Sequence, residues 1–260
     1  MSPYPMRDGT HSSSHSSASG GAASNGTASA TRHVMLVDDH PVVRQGLMRL
    51  VNLETDLVVT GEASSAEEAL ALLDEQTFDL AVVDITLEGV SGLELVRQIR
   101  SQHEGLLVLV LSMHHERFYA ERALRAGAQG YVMKQRAPDV IIDAIRRVLE
   151  GDLYLSEELS DDLLRRAVEG RAEASTNPAE VLSDRELEVL QLIGQGVRTR
   201  DIAEQLTLSI KTIESYRANI KRKLDLQNAT ELAHYAFAWY QATSDPNNAD
   251  VPAPPSERAE

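Results

Sequence analysis

The sequence predicts two folded domains: an α/β domain on a doubly wound, five-stranded parallel sheet, followed by an all-helical domain. Two observations predict this. Between residues 32 and 151, five short apolar runs alternate with five amphipathic stretches. From Leu182 to Tyr240 the apolar spacing is helical throughout, with no strand-like run. The length allows this, because 260 residues suit one large domain or two ordinary ones.

The strand candidates are Val34–Val37, Leu57–Thr60, Leu80–Val83, Leu106–Leu111 and Gly130–Met133. Nearly continuous Val/Leu runs are what strands buried on both faces require. The helix candidates are 41–52, 65–75, 91–103, 115–127 and 138–150. Such alternation places helices on both faces of a parallel sheet. Gly92 and the Gly127-Ala128 pair read as tight-turn positions. Residues 152–180 read as an acidic linker, in which Leu153, Leu155, Leu159, Leu163 and Leu164 suggest a short helix. The helical domain then occupies 181–241. Residues 1–31 are mostly Ser, Gly, Ala, His and Thr and cannot bury enough apolar surface to offset their ordering entropy. Disorder is expected there, and again in the polar, Pro-rich 242–260. His11 and His15, spaced in such a tail, make a poor metal site.

Composition removes several functions. The chain has no cysteine, which excludes disulfides, thiolate metal sites and cysteine nucleophiles. No apolar run approaches the ~20 residues that cross a bilayer, and the first thirty residues hold no apolar core of the signal-peptide kind. A cytoplasmic protein without a membrane partner is expected. A net charge of -15, averaged over the chain, argues against a polyanionic partner. The charge is uneven, however: 32–151 carries -7 and 152–180 carries -5, whereas 181–240 is neutral. Within 209–224, five basic residues face one acidic residue. Such a patch can bind phosphates on an otherwise acidic protein.

In an open parallel sheet, ligands bind outside the carboxyl ends of the strands. The first strand ends in Asp38-Asp39, the third in Asp84, the fourth in Ser112 and the fifth in Lys134. Carboxylates on adjacent strands suit a hard cation such as Mg²⁺, which prefers oxygen ligands. A carboxylate beside that ion can attack a phosphoryl group. A lysine and a hydroxyl can then hold the phosphoryl oxygens. Each residue alone has a plainer reading. A strand-ending Asp is often a helix N-cap, and Asp39 ahead of Pro41 would suit one.

The segments VMLVDDH (34–40), VVDITLEGVSGLEL (82–95), VLVLSMH (108–114) and ALRAGAQGYVMKQRAP (123–138) resemble receiver domains of the NarL/FixJ class of two-component response regulators. The resemblance covers roughly 33–150 and implies a flavodoxin-like fold. It also implies Asp84 as phosphoacceptor, Asp38, Asp39 and Asp84 as Mg²⁺ ligands, Ser112 as the switch hydroxyl and Lys134 as the phosphate-binding lysine. Tyr131 falls where that family places a switching aromatic, although a tyrosine packed at the core edge reads the same way. The family usually carries Met-Pro at the third and fourth positions after the phosphoacceptor, where this chain has Leu87 and Glu88. Glu88 replaces a rigid ring with a charge near the site. Glu88→Pro is therefore expected to change the phosphorylation rate or the phosphoaspartate half-life, and no change in either would refute that role.

In the helical region, Ser183 followed by Glu186 forms a capping-box pattern. The helix it starts carries Leu187, Val189, Leu190, Leu192 and Ile193. Thr199 is expected to cap a second helix and Ser209 a third, joined by a short turn at Thr207-Leu208. Two helices on a tight turn, the second one basic, form a helix-turn-helix. Lys211, Thr212, Glu214, Ser215 and Arg217 are candidates for base contact, and Lys221, Arg222 and Lys223 for phosphate contact. A charged helix face can also be merely solvated. Residues 182–226 resemble the four-helix DNA-binding domain of the LuxR/NarL type. That resemblance implies a fourth helix at Ala229–Tyr240 used in dimerisation.

Together the resemblances imply a transcriptional regulator, not an enzyme. A sensor histidine kinase would phosphorylate it. The receiver would then release the recognition helix, and the homodimer would bind double-stranded promoter DNA. A Mg²⁺-dependent phosphohydrolase could use the same carboxylates, but no substrate-binding cap insertion is evident. A regulator freed from phosphorylation would be expected to lack one of Asp38, Asp39, Asp84 or Lys134, and all four are present.

Overall fold

A computed structural model describes residues 30–169 and 178–244. Most of the two tails, with His11 and His15, lies outside the described residues. The first half is β1 (Arg32–Val37), α1 (Pro41–Asn52), β2 (Leu57–Ala63), α2 (Ala66–Glu75), β3 (Leu80–Asp84), α3 (Gly92–Gln102), β4 (Leu107–Ser112), α4 (Glu116–Ala126), β5 (Gly130–Met133) and α5 (Ala137–Leu149). The strands form one parallel sheet in the order β2-β1-β3-β4-β5.

Successive strand residues face opposite sides. Val34, Leu36, Val82, Leu109 and Leu111 pack under α1 and α5 with Leu47, Ile141 and Ile145. Met35, Val37, Ala81, Val83, Val108 and Val110 pack under α2, α3 and α4 with Ala69, Val96, Ile99 and Ala123. Each fully buried aliphatic side chain contributes about 1.5–3 kcal/mol. β2 runs to Ala63, three residues past its predicted end, because Gly61, Glu62 and Ala63 pair with Met35, Leu36 and Val37 once Thr60 is passed over as an extra residue in β2. Gly92 has a tighter constraint than turn chemistry alone. A Cβ there would lie 1.8 Å from the Asp84 carbonyl oxygen, so α3 can begin beside the end of β3 only with glycine.

The second half is α6 (Glu157–Glu169), α7 (Pro178–Val181), α8 (Asp184–Gly194), α9 (Thr199–Gln205), α10 (Ile210–Lys223) and α11 (Ala229–Ser244). The capping box at Ser183 and Glu186 forms as expected. Ser209 caps α10 by accepting a hydrogen bond from the Thr212 amide. Thr199 does not cap α9. Arg198 is the N-cap residue, without a side-chain cap bond, and Thr199 is already helical. The last helix extends to Ser244, beyond the boundary expected at 241.

Arg185, Glu186, Leu187, Glu188, Val189 and Leu190 of α8 are all buried. A helix buried all round has partners on every side. α10 and α11 cover one side of α8, and the first half covers the other. The apolar cluster beneath α2, α3 and α4 continues into Leu182, Leu187, Ile220, Leu232 and Trp239.

Candidate functional site

The strand order reverses between β1 and β3, and the side chains following both strands meet there. Asp38 and Asp84 are each 1% exposed. Lys134 lies between them, its Nζ 2.6 Å from Asp84 Oδ2 and 2.8 Å from Asp38 Oδ2. Asp84 Oδ1 accepts a hydrogen bond from the Thr86 amide at 3.2 Å, and Asp38 Oδ1 one from the His40 amide at 2.8 Å. Asp39 is not the cap of α1. That position belongs to His40, which makes no side-chain cap bond. Asp38, Asp39, His40 and Asp84 bring ligand atoms within 4.8 Å of one another. Asp39 Oδ1 lies 2.5 Å from His40 Nδ1, so the rim carboxylate and the imidazole face each other at the mouth of the cluster.

Ser112 is fully buried at the end of β4, and its Oγ accepts a hydrogen bond from the His114 amide at 3.0 Å. The Lys134 amide donates to the Ser112 carbonyl at 2.7 Å, tying the ends of β4 and β5 together. Tyr131 points inward, and its hydroxyl donates to the His114 carbonyl at 2.8 Å. Glu88 is exposed, whereas Leu87 is buried.

Burial pushes the Asp84 carboxyl up to about 7; Lys134 pulls it down and the Asp38 charge pushes it further up. Burial opposes the charge on Lys134, but Asp84 and Asp38 outweigh it and hold the ammonium above its ordinary value. Two buried carboxylates share one cation, so the site is short of positive charge. Such a set of oxygens fits a divalent cation.

The helical half closes over this rim and leaves a cavity of about 820 Å³. Asp84, Thr86 and His114 form its floor, and Glu188, Gln191 and Trp239 its roof. Arg185 Nη2 donates to the carbonyls of Leu87 and Gly89 at 2.8 and 2.9 Å, gripping the loop after Asp84. Arg185 Nη1 pairs with Glu188 at 2.7 Å. Asp184 is held between Arg97 and Arg122 of the first half. Phe118 of α4 packs against Trp239 of α11, ring centroids 5.3 Å apart. Burial pushes the His114 ring down to about 4, against a hydrogen bond with Gln191, so the floor of the cavity carries a neutral imidazole at neutral pH. Sequence reasoning missed His40, Thr86, His114, Arg185 and Glu188. The last two form a charged pair at (i, i+3) that looks like any solvated helix face.

The basic helix α10 lies away from this contact. Lys211, Glu214, Ser215 and Arg222 are exposed; Thr212, Arg217, Lys221 and Lys223 are half-buried. The expectation that the receiver shields this helix is not met at the exposed positions. Thr212 shares a hydroxyl hydrogen bond with Ser209 at 2.8 Å. Lys223 is engaged by Glu186 at 2.6 Å.

A family model described as the response regulator receiver domain matches residues 34–146, and one described as bacterial regulatory proteins, luxR family, matches 180–236. The chain is a LuxR-type response regulator. Relatives of this response regulator include the transcriptional activator protein ExaE of Pseudomonas putida, 37% identical over 78% of this chain and 95% of that protein. The transcriptional regulatory protein UhpA of Salmonella typhimurium is 38% identical over 78% of this chain and 97% of its own length. RcsB of Salmonella enterica serovar Typhimurium, solved bound to promoter rprA with the phosphomimetic BeF₃⁻, is 26% identical with a TM-score of 0.54, covering 80% of this chain and 98% of that one. These relatives are regulators of transcription, which sets the phosphohydrolase reading aside. Among the described residues, no helix is long and apolar enough to cross a membrane.

Proposed function

We propose that this response regulator is switched by phosphoryl transfer to Asp84, with receiver 32–151, linker 152–180 and DNA-binding domain 181–241. An oxygen of the Asp84 carboxylate attacks the phosphorus of a phosphohistidine on a sensor kinase. The P–N bond breaks, and the leaving imidazole nitrogen takes up a proton. Lys134, in reach of both the Asp84 and Asp38 carboxylates, is the observation that carries this reading. An ammonium already in contact with the nucleophile can follow the charge onto the phosphoryl oxygens. Ser112 supplies a hydroxyl on the neighbouring strand, and Tyr131 couples that strand end to β5. Asp38, Asp39 and Asp84 would hold Mg²⁺, which neutralises charge on the phosphoryl oxygens when bound.

The output is binding of duplex promoter DNA by a homodimer in the cytoplasm. Lys211, Glu214 and Ser215 are exposed polar residues on the first turns of α10 and the best placed for base edges, with Thr212 and Arg217 beside them. Lys221 and Arg222 suit phosphates. Lys223 would have to release Glu186 to join them. The test is intact mass after incubation with Mg²⁺ and phosphoramidate. One phosphoryl group is expected on the wild type and none on Asp84→Asn. An unmodified wild type, or a modified Asp84→Asn, overturns the assignment.

A further inference from the structure

We propose that the docked arrangement selects phosphodonors by size. Small phosphorylated compounds reach Asp84 through the interdomain cavity, whereas a phosphohistidine on a protein reaches it only after α8 and α11 lift away. The proposal rests on Asp84 being the phosphoacceptor.

The cavity over Asp84, at about 820 Å³, has the size of small-molecule sites. Its roof is protein: Glu188 and Gln191 from α8, Trp239 and Tyr240 from α11. A donor histidine on a folded protein arrives with its own backbone, and even one helix is about 10–12 Å across with its side chains. No such element fits beneath a roof held at three points: Arg185 on the Leu87 and Gly89 carbonyls, Asp184 between Arg97 and Arg122, and Trp239 against Phe118. The exposed residues of α10 take no part in the roof, so closure acts on the input of the switch rather than on its DNA-reading helix. A protein donor is then slowed by the fraction of molecules that are undocked, and a small donor is not. With phosphoramidate, the Asp84 oxygen forms the new bond to phosphorus, the P–N bond breaks, and nitrogen leaves with a proton as ammonia.

The absence of cysteine makes the test direct. In the full chain, Thr86→Cys places a single thiol beneath the roof, and Met113→Cys places one at the exposed mouth as a control for reagent competence. Each is treated with iodoacetamide and with a maleimide coupled to a small folded protein, alone and combined with Arg185→Met or, separately, Asp184→Asn. For Thr86→Cys, either second substitution is expected to accelerate the protein-borne reagent by about tenfold or more and iodoacetamide by less than about twofold. Phosphoramidate labelling of the wild type and Arg185→Met should likewise agree within about twofold. Equal acceleration of both reagents, or a protein-borne reagent as fast in the docked parent, overturns the proposal. If the wild type takes no phosphoryl group, Asp84 is not the acceptor and donor selection falls with it, while the thiol rates still report whether the roof exists.

Discussion

Replacing Arg185 with Met isolates what holds the two halves together. The guanidinium makes two hydrogen bonds to loop carbonyls of the receiver and an ion pair with Glu188, and both partners of that pair are buried. Methionine keeps much of the apolar stem and removes the charge. Breaking a buried pair by deleting one partner costs about 3–5 kcal/mol, because the remaining charge is stranded. The freed carbonyls recover water on undocking, so the lower end applies: about 3 kcal/mol, roughly a hundredfold in the docking equilibrium. Burial already pushes the Glu188 carboxyl up, against the pull of Arg185. Without Arg185 it rises further. A carboxyl with a raised value stabilises the docked state fully below the ordinary carboxylate range, and that contribution is lost as pH rises through the raised value. Arg185→Met should therefore dock better as the pH is lowered. Trp239 is the sole tryptophan and packs across the contact on Phe118, so acrylamide quenching reads docking directly. Quenching should rise in Arg185→Met, more at the higher of two pH values, and fall back when Glu188→Gln removes the stranded charge. Quenching equal to wild type at both pH values would mean that Arg185 does not hold the two halves together.

Lys134→Ala leaves the Asp38 and Asp84 carboxylates buried without a cation and should cost about 3–5 kcal/mol in chelator. Saturating Mg²⁺ should return about 2–3 kcal/mol, so the melting temperature of the variant should respond to Mg²⁺ more than that of the wild type. Identical responses would deny that lysine and metal share these oxygens. Lys211→Ala should weaken binding to duplex DNA and lower the salt slope by about 0.9. Lys223→Ala should instead lower thermal stability through its partner Glu186, with little change in that slope. The reverse pattern would move Lys223 into the DNA interface.

The rim was legible because polar residues stand at the ends of strands that are otherwise wholly apolar. Asp38, Asp84, Ser112 and Lys134 could not belong to the core pattern, and a parallel sheet sends all its strand ends to one side. The runs did not say which face each residue takes, because Val34 and Leu36 on one side are as apolar as Met35 and Val37 on the other. The end of β2 was hidden because Gly61 and Glu62 look like a turn, yet pairing with β1 carries the strand through them. Thr199 has the right chemistry for a cap, but the helix begins one residue earlier than that chemistry suggests. The roof was illegible for a deeper reason. Arg185 and Glu188 carry charges of opposite sign, and nothing in their spacing distinguishes a solvated pair from one that another domain buries.

The residues that grip are placed so that chemistry at Asp84 reaches them. The Leu87 and Gly89 carbonyls lie three and five residues after Asp84, on the loop that any rearrangement of the acceptor must move. Glu188 lines the same cavity as Asp84, under low-dielectric walls. A phosphoryl group would add about 1.5–2 negative charges to that cavity. A modification shifts an equilibrium only through its differential interaction with the two states. Here the difference is concrete: the docked state faces a buried Glu188 carboxylate toward the new charge, and the undocked state lets both into water. Phosphorylation should therefore raise acrylamide quenching of Trp239 in the wild type, and Glu188→Gln should blunt the rise. An equal rise in both would assign the coupling to movement of the loop that Arg185 grips, and no rise in the wild type would mean that the phosphorylated chain stays docked.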